Sequence, residues 1–114
     1  MENSNEFMLL FRFELSNEQP TPEQLQEMGK QWGSFIGTIA MQGKLVSTHQ
    51  LGFEGTIVKA NQSTQNGFHI SEGKIVAGNM ILKADSMEVA TELAKNCPIL
   101  LMGGTVEVRS INPM

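Results

Sequence analysis

The stretch that decides the fold is residues 74–111, which read KIVAGNMILKADSMEVATELAKNCPILLMGGTVEVRSI. Its apolar beginning, broken by one glycine, predicts a strand. Asp85-Ser86 supplies helix-capping residues just before a helical pattern of apolar positions. Cys97-Pro98 should stop that helix and Gly103-Gly104 should turn the chain. Residues 105–109 then alternate as a closing strand, so the stretch predicts a strand–helix–strand unit.

A similar pattern opens the chain. Residues 7–13 are apolar except for Arg12, which predicts a strand covered on both faces. Thr21-Pro22-Glu23-Gln24 predicts a helix start, because threonine can cap, proline suits the first helical position and glutamine can bond back to the cap. The helix should end at Gly43. Its apolar stripe at helical spacing consists of Leu25, Met28, Trp32, Phe35, Ile36 and Ile39.

Two such halves in 114 residues predict a single α+β domain that pairs with itself. Residues 1–5 are expected to be frayed and residues 6–112 to form the domain. The second helix should run from Ser86 to about Asn96. Residues 60–67 are polar, so we expect a loop there, with Asn66-Gly67 as a turn signal. Further short strands are expected at residues 45–48, at residues 56–59 and near residues 68–70.

Composition excludes several classes of function. The net charge is −4, and the 8 lysines and arginines are scattered rather than clustered. Nucleic acids and anionic membranes both require a clustered basic face, so neither is an expected partner. A single cysteine forms no internal disulfide and supports no metal site. We therefore expect no metal and no cofactor. The polar, acidic start at Met1–Glu6 is unlike a signal peptide, so we expect a cytoplasmic location.

Three glycines of the first helix are spaced four residues apart, at positions 29, 33 and 37. Each costs about 1 kcal/mol relative to alanine inside a helix. Either the helix tolerates them, or the sheet, a partner subunit or a ligand approaches that side closely.

Few residues could carry chemistry. His49 and His69 are the two histidines. Histidine can transfer protons near neutral pH, although a structural or solvent-facing role is the commoner one. Neither has a partner at metal-ligand spacing. Cys97 is expected to be buried packing rather than a nucleophile, and Trp32 is expected to be core, although it could also wall a pocket.

The arginines suggest an anion site. Arg12 interrupts an apolar strand, so it must be paired or face a cavity. Glu107 and Arg109 share one face of the last strand and could pair with each other or across the sheet. The alternatives are a structural ion pair and a forked arginine that holds a carboxylate. Asn79 should face away from the helices if Met80 and Leu82 pack beneath them.

Taken together, several segments resemble the YCII-related, or DGPF-domain, proteins over residues 7–111. The resemblance implies a ferredoxin-like βαββαβ sandwich, with an antiparallel sheet and two helices on one face. It also implies a homodimer of the dimeric α+β-barrel type. The family's activity is not established, and catalysis has been suspected in members with a His–Asp pair near a pocket. The segments are residues 7–12, 42–46, 77–86, 92–98 and 106–109.

The chain departs from that family at the suspected catalytic pair. The Asp-Gly-Pro-Phe/Tyr signature is represented by Asn66-Gly67-Phe68-His69, and the histidine of the first helix falls at Trp32. Asparagine cannot act as a base and an indole cannot shuttle a proton.

The resemblance and its departures lead us to expect a homodimer that binds a small molecule without that pair. Its pocket candidates are Arg12, Trp32, Asn66, His69, Asn79 and Arg109. The alternatives are an enzyme acting on a small organic acid, with His69 or His49 as proton carrier, and a purely structural or partner-binding domain.

Overall fold

The computed structural model describes residues 5–14 and 21–112. These residues form an α+β fold, as the sequence predicts. The elements in chain order are β1 (Asn5–Glu14), α1 (Pro22–Met41), β2 (Leu45–Gln50), β3 (Thr56–Val58), β4 (Thr64–Asn66), β5 (Lys74–Ala84), α2 (Met87–Ala94), a 3₁₀ helix (Pro98–Met102) and β6 (Thr105–Ser110). The expected frayed start falls outside the described residues except for Asn5, which is the first residue of β1.

The main sheet has four strands in the order β2-β5-β1-β6, and every neighbouring pair is antiparallel. Strands β3 and β4 form a separate two-stranded sheet. Strand β1 is central, with Leu9 facing Met80 of β5 on one side and Val108 of β6 on the other. The two strand–helix–strand halves therefore contribute to one continuous sheet.

One face of the sheet, the inner face, carries the core. Alternate residues of β1 point to opposite faces, and Phe7, Leu9 and Phe11 are all buried on the inner one. They pack in one cluster with Phe35 and Ile39 of α1 and with buried alanines of α2. Both helices therefore cover the inner face. Full burial of a side chain of this size stabilises the fold by about 1.5–3 kcal/mol.

The helix boundaries follow local hydrogen bonding. The Gln24 N–H donates to Thr21 Oγ1 at 3.1 Å, and the Thr21 N–H donates to Gln24 Oε1 at 2.9 Å, so the predicted capping box is confirmed. Gly43 follows the end of α1 with a φ of 72°, a conformation that glycine adopts without steric cost. The Val89 N–H donates to Ser86 Oγ, so Ser86 caps α2. Helix α2 ends at Ala94 rather than near Asn96.

The segment between β2 and β5 differs from the sequence prediction. The strand expected near residues 68–70 is wrong, and β4 lies at Thr64–Asn66, inside the expected loop. The turn lies at residues 59–63 instead of at Asn66-Gly67. Asn61 Oδ1 accepts a hydrogen bond from the Ser63 N–H at 3.0 Å. Asparagine stabilises turns through such side-chain-to-backbone bonds, so the turn forms here rather than at Asn66-Gly67.

Within the described ranges, neither helix is long and apolar enough to span a bilayer.

Candidate functional site

The face of the sheet opposite the helices, the outer face, contains most of the residues that could bind a ligand. On this face, strand register brings together side chains from all four strands of the main sheet. The central part of the outer face contains Ser47 and His49 from β2, Asn79 and Ile81 from β5, Met8, Leu10 and Arg12 from β1, and Glu107 and Arg109 from β6. Glu6 and Lys83 lie beyond them at one end of the same face.

Two rows of side chains cross this face. In one row, His49 pairs with Asn79, Asn79 with Leu10 and Leu10 with Glu107. In the next row, Ile81 pairs with Met8, and Met8 pairs with Arg109. Apolar side chains thus occupy the middle of the outer face, and charged side chains occupy the β6 edge.

Three charged side chains form a cluster at that edge. Arg12 Nη1 donates to Glu107 Oε1 at 2.6 Å, and Arg109 Nη1 donates to Glu107 Oε2 at 3.2 Å. The pairing of Glu107 with Arg109 and across the sheet, which the sequence suggested, is confirmed. The hydrogen bond from Arg12 is the main reason that the pKa of Glu107 lies below its usual value. The cluster carries a net charge of +1, and each guanidinium has further N–H donors.

The cluster is partly exposed to solvent. The side chains of Arg12 and Glu107 are 32% and 39% exposed, and that of Arg109 is 66% exposed. Ion pairs this accessible contribute little to stability. The exposed part of both guanidinium groups is open to contact with a solute.

Asn79 is the polar residue next to the apolar centre of this face. Its Oδ1 atom is buried and has no hydrogen-bond partner among the described residues. A buried polar atom without a partner costs about 1–3 kcal/mol. As expected from its alternation with Met80 and Leu82, Asn79 faces away from the helices.

Trp32 lies apart from the other candidate binding residues. Its indole packs between α1 and the sheet, with ring centroids 5.2 Å from Phe11 and 6.0 Å from Phe35 in edge-to-face geometry. These contacts lie on the inner face, so Trp32 is separated from Arg12 by the thickness of the sheet. Its role as core is confirmed. Its role as a wall of the same pocket has no support in the geometry.

Asn66 and His69 lie outside the main sheet. Both belong to the connection between β2 and β5, residues 51–73, which we call the hairpin arm. Both side chains are exposed. His49, in contrast, lies on the outer face beside Asn79, and it is also exposed. In the described part of the chain, no ion pair joins either histidine to a carboxylate.

A groove of about 480 Å³ lies on the opposite side of the molecule, between α1 and the 3₁₀ helix. It is lined by apolar side chains such as Phe35, Ile39 and Pro98 and by polar side chains such as Glu27, Lys30 and Gln31. None of the candidate residues lines it. We favour the outer face as the functional site because that face combines a charged cluster, an apolar centre and a buried amide oxygen without a partner.

Cys97 is unsuited to nucleophilic chemistry. It lies in the core, and burial raises the pKa of its thiol to about 11. Because the thiolate is the nucleophilic form, a thiol with this pKa is almost fully neutral at physiological pH. Among residues 5–14 and 21–112, no three histidine, cysteine, aspartate or glutamate side chains come together as a set of metal ligands.

Comparison with protein-family models gives no match, and comparison with curated proteins gives none either.

Sequence analysis did not assign Met8, Leu10 and Ile81 to a functional site, although it predicted that both faces of β1 are covered. In the structure these three side chains are only half-buried. In residues 7–13 both alternating sets of side chains are apolar except for Arg12, a pattern typical of a strand with a covering layer on each side. Among the described residues, no element supplies that layer on the outer face.

Proposed function

We propose that this protein is a homodimeric, cytoplasmic small-molecule-binding domain of the YCII-related type, which lacks the family's suspected His–Asp pair. In the proposed dimer, the outer faces of two copies face each other as a dimeric α+β barrel. The ligand is a small organic carboxylate held between them by Arg12 and Arg109. The observation that carries the proposal is the Arg12–Glu107–Arg109 cluster at the edge of a half-exposed apolar sheet face.

The strand order supports the fold part of the proposal. If β3 and β4 are left aside, β1, β2, β5 and β6 are the first, second, third and fourth strands of a βαββαβ chain. Reading from β6 to β2, their order is fourth, first, third, second. That is the order of a ferredoxin-like sandwich, with both helices on one face.

The outer face supports the dimer. Leu10, Met8 and Ile81 form an apolar centre rimmed by charged and polar side chains, and apolar patches of this kind mark interaction sites. In a dimer with twofold symmetry, the apolar patch of one copy packs against the same patch of the other copy. That contact would bury the three side chains and give β1 the second covering layer that its sequence predicts.

The charges support the ligand class. A carboxylate can accept paired hydrogen bonds from a guanidinium fork, which makes arginine the preferred side chain for this recognition. Glu107 accepts a hydrogen bond from each of the two guanidinium groups and so holds both in place. Their other N–H groups can donate to a ligand. The amide of Asn79, beside Leu10, is placed to contact a polar group of the same ligand.

Thermal-shift measurements test the binding proposal. We expect small carboxylic acids to raise the melting temperature of the wild-type protein, and their neutral amides to leave it unchanged. Arg12→Gln should abolish the shift. Lys30→Gln, which removes one positive charge from an exposed position of α1 on the other side of the sheet, should retain it. Equal shifts in both variants, or no shift with any carboxylate, would overturn the proposal.

A second candidate function is an enzyme acting on a small organic acid, with His49 as proton carrier. The position of His49 next to Asn79 on the outer face favours it over His69, which lies in the hairpin arm. If this function holds, His49→Gln should abolish turnover of a carboxylate substrate while leaving the carboxylate-induced thermal shift intact. Ligand binding without turnover in the wild-type protein would exclude it.

A further inference from the structure

The hairpin arm has little structural support of its own. Its two short strands pair only with each other, and the pairing continues to the Gly67 N–H, which donates to the Gly55 carbonyl at 2.8 Å. Phe53 and Phe68 contact each other at the base, with ring centroids 6.1 Å apart. An isolated two-stranded hairpin is at best marginally stable in water. The arm therefore needs a surface to pack against.

The arm is also rich in exposed apolar side chains. Phe53, Val58 and Ile70 are 64%, 69% and 51% exposed, and Leu51 is exposed as well. Single exposed apolar residues are ordinary, but four on one short projection form a concentrated apolar surface. Its few charges, Glu54, Lys59 and Glu72, nearly balance, so that charge does not oppose burial.

The outer face alone is small for a stable dimer. The strands of the main sheet contain 10, 6, 11 and 6 residues. With strands about 4.8 Å apart and a rise of about 3.4 Å per residue, the projected area of one face is roughly 540 Å². A stable interface buries about 800 Å² on each partner. A dimer formed through the outer face needs additional apolar surface, and the arm offers it.

The arm also leaves the sheet in a suitable place. It begins after Gln50, which pairs with Gly78, and the Leu51 N–H donates to the Ala77 carbonyl at 2.8 Å. This is the end of the sheet at which Arg12 lies. It returns to β5 through Glu72-Gly73, where both residues have positive φ and form a tight turn that fixes the arm's root. The arm therefore leaves the sheet at the end that carries Arg12.

We propose that the hairpin arm of each copy packs against the other copy of this chain and forms the second part of the dimer contact. The inference rests on the proposed homodimer and adds to it the surface that completes the interface. Because the symmetry is twofold, both arms pack in the same way.

The test is the dimer dissociation constant, measured by sedimentation equilibrium. Val58→Lys places a charge on the most exposed apolar position of strand β3, and we expect it to weaken the dimer at least tenfold. The matched control is Met41→Lys, the same kind of change at a 91% exposed position at the end of α1, and it should change the constant less than twofold. Both positions are exposed, so neither variant should impair folding.

A third variant, Leu10→Lys, separates this inference from the proposed function. It should produce monomers, because it places a charge at the centre of the outer face. If Leu10→Lys is monomeric and Val58→Lys dimerises like the wild type, the arm inference is overturned and the outer-face dimer stands. A wild-type protein that stays monomeric overturns both.

Hydrogen exchange gives a second, independent readout. Backbone amides of residues 53–58 should exchange more slowly at protein concentrations where the dimer forms than where it dissociates. An arm whose exchange rates do not change on dimerisation remains open to solvent. That result would overturn the inference and point to a different protein as the arm's partner.

Discussion

Arg12 reaches diagonally across the sheet to Glu107. The two strands place Arg12 opposite Thr105 and Leu10 opposite Glu107, yet Arg12 Nη1 lies 2.6 Å from Glu107 Oε1. The other oxygen, Oε2, accepts from Arg109 Nη1 at 3.2 Å, so the carboxylate lies between the two arginines. This leaves the apolar centre free of charge and gathers both arginines around one carboxylate.

Replacing Arg12 with glutamine should raise the pKa of Glu107. The hydrogen bond from Arg12 is the largest cause of its lowered pKa, and the hydrogen bond from Arg109 acts in the same direction but ranks lower. A pH titration of the Glu107 carboxyl carbon by NMR measures the change directly. Arg109→Gln is the matched control and should raise the pKa less. An equal or larger effect of Arg109→Gln would contradict the assignment of Arg12 as the main partner.

The lowered pKa of Glu107 predicts how the stability of the protein changes with pH. The pKa of Glu107 is lower in the folded state than in the unfolded state, where it is about 4.3. Above about pH 4.3 the ionised carboxylate therefore stabilises the folded state. This stabilisation is lost as the pH falls through the lowered pKa of the folded state. Because the group is largely solvated, the effect should be small. Urea unfolding of the wild type and of Glu107→Gln should show a difference at pH 7 that shrinks at pH 3. A difference that grows on acidification would have the wrong sign.

Cys97 should resist modification in the native protein. Its thiol is buried and its pKa is raised to about 11, so that both access and ionisation are low at pH 8. A colorimetric disulfide reagent should react with Cys97 slowly in buffer and rapidly in denaturant, and Cys97→Ala should show no reaction in either. Rapid reaction of the native protein at pH 8 would show that the thiol is accessible.

Two glycine substitutions should have opposite effects on stability. A Cβ at Gly33 of α1 would meet no atom of the described residues within 4 Å, apart from the neighbouring backbone of its own helix. Gly33→Ala should therefore raise the free energy of unfolding by about 0.5–1 kcal/mol through its higher helix propensity. A Cβ at Gly104 would overlap the Arg12 carbonyl oxygen and lie 2.7 Å from Ile99 Cγ1. Gly104→Ala should lower the free energy of unfolding by about 1–3 kcal/mol.

Chemical denaturation of both variants measures these changes. The result for Gly33 bears on the three spaced glycines of α1. Within the described chain, the sheet does not approach positions 29, 33 or 37, since no atom lies within 4 Å of a Cβ built there. If Gly33→Ala destabilised the protein, a partner or a ligand would have to approach that side of the helix.

Where local chemistry decides the structure, sequence analysis was accurate. Thr21 and Gln24 form a capping box because the two side chains need only their own backbone partners. The alternation of Phe7, Leu9 and Phe11 correctly predicted the buried face, because a strand offers only two faces. Gly103, with a φ of 79°, turns the chain as expected.

Where competing local signals or tertiary register decide, it was less accurate. Asn66-Gly67 is a strong turn signal, but Asn61 and Gln62 supply the turn, and Asn66 ends a strand. Trp32 falls at the position of the family's helix histidine, so the resemblance predicts it in the same pocket as Arg12. Only the packing of α1 on the inner face separates them. The diagonal contact of Arg12 depends on strand register, which no single segment encodes.

The most direct test of the account is the solution mass of the wild-type protein by size-exclusion chromatography with light scattering. Self-pairing through the outer face predicts twice the mass of one chain, and Leu10→Lys should reduce it to that of one chain. A wild-type protein that elutes at the mass of one chain at every concentration, up to the highest at which it stays dissolved, would contradict the account.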